Sequence, residues 1–191
     1  MMNKIGKVGA LFGAAIVSSI LAGCVSVSQE MTPQSVDVVR RFEKTVCVVP
    51  TSVDKPIPLP GYDSYTRANC FGPALEVAMN TFGPFARVVS EKEADYRLEV
   101  YESHLSPPPL NFFALNNFDD ITIGNDMLWT LKSTKSDKPI WQENIHGRYT
   151  ATISDSFFSW VALVRFRHAN TGVARVNLKM GLEKISALPL P

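Results

Sequence analysis

The chain is short of the residues that do chemistry. Its 191 residues include three histidines and three cysteines. It contains no Gly-x-Ser-x-Gly, Cys-x-x-Cys, His-Glu-x-x-His or Gly-rich phosphate loop. Those absences remove the commonest hydrolase, redox, metalloprotease and nucleotide-binding signatures, and nothing in the sequence calls for a cofactor or a metal. His104, His146 and His168 lie far apart without ligand spacing and read as strand-end or surface residues. Charge of either sign is not in surplus either: 19 basic residues face 18 acidic ones, a formal net charge of +1. A polybasic grip on nucleic acid or on anionic lipid is therefore not expected. There is no internal repeat and no low-complexity tract. The uncharged run Val8–Leu21 falls short of the roughly 20 apolar residues that span a bilayer.

What is present is an N-terminal segment in three parts. Lys4 and Lys7 are positive, Val8 to Leu21 are uncharged and mostly apolar, and Leu21-Ala22-Gly23-Cys24 closes the segment. Charge, apolar run and small residues in that order describe an export signal. The final four residues resemble the lipobox of bacterial lipoproteins, without departure from its pattern. The resemblance implies cleavage after Gly23 and a diacylglycerol thioether on Cys24, with an acyl chain on its amine. Two or more chains anchor stably where one is marginal. Val25, where an Asp would favour inner-membrane retention in enteric-type bacteria, resembles an outer-membrane address, on the periplasmic face. The expected division is residues 1–23 as cleaved signal, 24–40 as lipidated N-terminus and tether, and 41–191 as one domain.

Loss of Lys4 and Lys7 leaves 17 basic against 18 acidic residues, so the lipid alone must hold the chain to the membrane. Cys24 is taken by lipid. Cys47 and Cys70 are then an even pair in an oxidising compartment, for which a disulfide is expected. The alternative is two buried thiols.

Residues 25–34 are polar and Ser-rich and read as tether; Thr32-Pro33 also suits the start of a short helix through Arg41. Lys44–Val49 is a β-branched run ended by Pro50 and reads as a buried strand. Four prolines make 50–61 an extended loop. Ser64–Phe82 places Phe71, Ala74 or Leu75, Ala78 and Phe82 on one helical stripe, stopped by Gly83-Pro84. Strands are expected at 86–89 and 94–104. A hairpin over 121–133 and 140–153 turns at Lys135–Lys138. A helix follows Ser154-Asp155-Ser156 from Phe157 to Phe166, with Asn170-Thr171-Gly172 as a possible break. The last segment, from Val173, suits a helix better than a strand. The β-α-β-β-β-β-α order predicts an α+β fold: a four- to five-stranded, mostly antiparallel sheet with helices on one face. That order, across 44–188, loosely resembles small envelope lipoproteins such as the lipopolysaccharide-assembly lipoprotein and the auxiliary lipoproteins of envelope transporters. It is a likeness of fold, not of motif.

Three further groupings are candidates for function. Leu105–Phe118 gathers Leu105, Leu110, Phe112, Phe113, Leu115 and Phe118 around three prolines. An exposed apolar cluster of that kind marks a partner or membrane surface; folded back, it would complete the core. Arg165, Arg167, His168 and Arg175 suit phosphate contact, or else a solvated helix face. Asp119, Asp120 and Asp126 surround Gly124 but lack calcium-loop spacing. The leading expectation is a non-enzymatic accessory or assembly subunit, fixed to the membrane by lipid, whose partner is an envelope protein or a lipopolysaccharide-type glycolipid. The alternatives are a lipid or small-molecule carrier with a cavity lined by Trp129, Trp141 and Trp160, and a hydrolase with an unrecognised site.

Overall fold

A computed structural model describes residues 27–49, 64–106, 120–136, 138–155 and 162–190. The elements are β1 (Phe42–Val49), α1 (Ser64–Phe82), β2 (Phe85–Val88), β3 (Tyr96–Ser106), β4 (Ile121–Ser133), β5 (Pro139–Ala151) and α2 (Ala162–Ser186). They form one five-stranded sheet in the order β2-β1-β3-β4-β5, with both helices on one face. The sheet is mixed. The long ladders β3–β4 and β4–β5 are antiparallel, and β1 pairs in parallel with β2 and with β3. The parallel β1–β2 pair follows from the crossover through α1, which returns the chain to the same end of the sheet.

Strand parity decides what each side chain meets. In β4 the odd positions Ile121, Ile123, Asn125, Met127, Trp129 and Leu131 are buried under the helices. In β5 the alternation is as regular: Ile145, Gly147 and Ala151 face inward, and His146, Arg148 and Thr150 face out. On the outer face Glu99 joins Arg97 at 2.9 Å and Lys132 at 3.0 Å. Midway along β1 the Asp95 carboxylate accepts from the Thr45 N–H at 2.9 Å. That hydrogen bond, the largest cause, holds the carboxyl below its ordinary range.

The expected Cys47–Cys70 disulfide is not formed; both cysteines are buried and unbridged. Register supplies the reason. Val46 points into the helix-side core, where Cys70 also lies. Cys47 is the next residue, so it points through the other face, beside its register partner Arg97. The sheet stands between the two sulfurs. Burial pushes the Cys47 thiol up, and the nearby Glu91 carboxylate adds to the rise.

The core has two apolar clusters on the helix side. The larger holds Leu75, Met79, Leu98, Met127, Trp129, Leu178 and Leu182 among others. The smaller holds Ile121, Ile123, Ala151, Phe166, Ala169 and Val173, with Tyr149 against it. A buried polar belt lies between them. Trp129 Nε1 donates to Asn177 Oδ1 at 2.8 Å. Asn177 Nδ2 donates to the Ile145 carbonyl at 2.8 Å and to Asn125 Oδ1 at 3.4 Å. Asn125 Nδ2 donates to Glu102 Oε1 at 3.1 Å. A methyl group on Gly147 would stand 2.5 Å from Asn125 Oδ1, so glycine there lets α2 seat on the belt.

The possible break at 170–172 is absent: α2 runs unbroken for 25 residues. Gly172 is there for packing. Its missing Cβ would lie 2.3 Å from the Tyr149 ring, so the ring takes the space a side chain would fill. Gly172→Val is expected to cost about 1–3 kcal/mol by overpacking. A drop in the urea midpoint with the slope unchanged checks this.

Candidate functional site

The segment expected to be tether begins packing at the first described residue. Residues 27–31 form a single helical turn, ahead of Pro33 and not after it. Met31 is fully buried in the larger cluster, with Val27 and Val36 against it. The chain then runs along α2 as a strap. Arg167 Nη2 donates to Glu30 Oε1 at 2.6 Å, the Asp37 N–H donates to Glu183 at 3.2 Å, and the Val39 N–H donates to Ser186 Oγ at 3.1 Å. Beneath the strap the first half of α2 is buried nearly all round, Arg165 included. The arginine group is thus no solvated helix face. Arg165 lies inside, Arg167 is tied to the strap, and Arg175 sits over Tyr149.

Strap and α2 run the same way, so Val27 marks one end of the molecule, here called the proximal pole. The register assembles the rest of it. Ile121 pairs with Ala151, and Ser106 pairs with Gly124, so β3 ends, β4 begins and β5 ends there. The turn 152–155 follows, closed by Asp155 Oδ2 accepting from the Thr152 N–H at 2.7 Å. Asp155 closes this turn; the described part of α2 begins at Ala162, and the expected helix start at Phe157 lies outside the described residues. Set into this pole is a hollow of about 270 Å³ lined by Glu30, Tyr149, Asp155, His168, Thr171 and Arg175. The Arg175 guanidinium carbon lies 5.6 Å from the centre of the Tyr149 ring, a cation–π distance. Among the described residues no carboxylate forms an ion pair with Arg175. A second hollow of about 300 Å³, lined by Pro33, Gln34, Ser35, Arg175, Val176 and Lys179, adjoins it along the strap.

Sequence reasoning grouped His168 with Arg175 but missed the strap, Tyr149 and Asp155 as their neighbours. The signal was weak: Val27 and Met31 are isolated apolar residues in a Ser-rich stretch. Cys24 and the 110–118 candidates Leu110, Phe112, Phe113, Leu115 and Phe118 lie outside the described residues. Leu105 belongs to β3, opposite Asn125, not to an irregular loop. His146 pairs with Asp126 on the outer face with its side chain 68% exposed, and the Ser103 hydroxyl donates to the Asp126 carbonyl instead of to that histidine. No described hollow contains the pair. Trp129 is a core residue and Trp141 packs partly buried on the same cluster; Trp160 lies outside the described residues. No group of three or more metal-ligating side chains occurs among the described residues, and no helix among them is long and apolar enough to cross a membrane.

No family model and no curated protein sequence matches the chain. Solved structures share its fold. A Xanthomonas campestris protein superposes with a TM-score of 0.54 at 12% identity, covering 81% of this chain and 92% of its own. A hypothetical protein from Chlamydia trachomatis gives 0.52 at 6% identity, covering 76% and 96%. Uncharacterized lipoprotein B from Nitrosomonas europaea gives 0.50 at 11% identity, covering 79% and 87%.

Proposed function

We propose that the protein is a lipid-anchored envelope lipoprotein, a non-enzymatic accessory or assembly subunit on the periplasmic face of the outer membrane. Cys24 carries the lipid. The observation that supports this reading most is the strap. Residue 27 is already packed on the domain, and three residues reach at most about 11 Å. A lipid on Cys24 would hold this domain flush against the bilayer, proximal pole first. A fold shared with a protein named as a lipoprotein agrees with it.

The partner is an envelope protein or a lipopolysaccharide-type glycolipid, met through Leu110, Phe112, Phe113, Leu115 and Phe118. Both described flanks of that segment, Ser106 and Asp120, are at the proximal pole. Affinity capture of the full chain from detergent-solubilised envelopes, with mass spectrometry of bound proteins and lipids, tests the reading. A Phe112→Ser/Phe113→Ser chain is expected to keep its thermal midpoint and to lose the captured partner about tenfold or more, as two buried aromatic anchors would. A fall in stability with capture unchanged would assign those residues to the core instead.

A further inference from the structure

We infer that the proximal hollow seats the headgroup of a zwitterionic phospholipid from the leaflet that holds the anchor. The inference rests on the lipid-anchor reading, and on three observations of its own. First, position: Glu30, three residues along from Val27, is part of the lining, so the hollow is within reach of the surface on which residue 24 would sit. Second, charge: the lining carries both signs, Arg175 against Asp155 and Glu30, the last of which is paired with Arg167. A phosphate joined to an ammonium presents both signs at a few ångströms' separation. A polyanion would meet the two carboxylates, and a simple cation would meet the arginine. Third, Arg175 is held in place without being neutralised. It lies over the Tyr149 ring, whose seat on Gly172 is fixed by close packing, and no carboxylate among the described residues forms an ion pair with it. A guanidinium so placed presents its planar edge to a phosphate in bidentate fashion. The volume of about 270 Å³ is of the size of a headgroup.

The test uses the full lipidated chain in a maltoside detergent, which contains no phosphate. Dihexanoylphosphatidylcholine, dihexanoylphosphatidylglycerol and inorganic phosphate are titrated separately while NMR follows the Arg175 Nε–H and the Tyr149 ring. Saturable shifts of both with the phosphatidylcholine, weaker ones with the phosphatidylglycerol and none with phosphate are expected. Arg175→Gln should weaken phosphatidylcholine binding about tenfold, the loss of a charge-assisted pair. Arg175→Lys should fall between, and Lys135→Gln at the far pole should change nothing. Thermal midpoints within about 2 °C of wild type would show that the variants are folded. Equal binding of inorganic phosphate would make this a soluble-anion site and overturn the inference, as would shifts absent from the pole. The mass of the N-terminal peptide is read separately: saturable shifts on a chain without lipid would refute the anchor and leave the seat standing.

Discussion

Trp129→Ala is expected to be the most damaging single change in the domain, lowering stability by about 4 kcal/mol. The ring is fully buried between α2 and the sheet. It also occupies the gap left by Gly181, whose absent Cβ would lie 2.3 Å from the ring. Truncation removes that filling at a helix whose backbone cannot close on the void, and large aromatic-to-alanine changes cost about 3–5 kcal/mol. The loss is chemical as well. Asn177 Oδ1, which accepts the indole N–H at 2.8 Å, would be left buried without its donor, a penalty of about 1–3 kcal/mol when no water replaces it. Trp129→Phe separates the two effects: it keeps most of the volume, loses the hydrogen bond and should cost about 2 kcal/mol. Against a domain stability of about 5–15 kcal/mol, the alanine change should move the urea midpoint severely and the phenylalanine change moderately. Equal losses from the two would mean that the hydrogen bond, not the packing, governs the site.

The same tryptophan shows how far the sequence could be read. The alternation of Trp129 and Leu131 with Thr130 and Lys132 marks β4 as a strand with one buried face, and its span Ile121–Ser133 is observed as expected. The stripe through Phe71, Ala74, Leu75 and Ala78 likewise fixes α1 at Ser64–Phe82, because a helical period is a local property. The failures share a cause, which is contact across long separations. Gly172 resembles a helix breaker in its own neighbourhood and is a seat for Tyr149 in the fold. The unformed disulfide turns on one residue of register in β1, where apolar side chains on both faces conceal which side is the helix side. The strap looks like a linker because its few apolar residues, Val27, Met31 and Val36, matter only once the domain lies beside them. The pole and its hollow are therefore legible in parts, as three arginines with a histidine and as the Ser154-Asp155-Ser156 run, but not as an assembled place.

Cys24→Ala is expected to change where the protein is found altogether, with no change in the fold. The modified chain should carry no diacylglycerol on its N-terminal peptide, should not be trimmed after Gly23, and should leave the washed membrane fraction if exported. The reason is quantitative. Each methylene buried in the bilayer contributes about 0.8 kcal/mol, so two or more acyl chains anchor stably where one is marginal. Electrostatics offers no substitute, since residues 24–191 carry 17 basic and 18 acidic side chains and a high-salt wash would screen what attraction remains. Met31, buried in the larger cluster, keeps the strap docked with or without lipid, so the thermal midpoint should be unchanged within about 2 °C. Ten Gly/Ser residues inserted after residue 26 should keep the chain on the membrane but release the proximal pole from it. Protection of the 152–155 turn from a soluble protease should then be lost while membrane retention is kept. If the Cys24→Ala chain is still cut after Gly23 and survives the salt wash on the membrane, the address comes from some other part of the molecule, and the orientation argued from residue 27 falls with it.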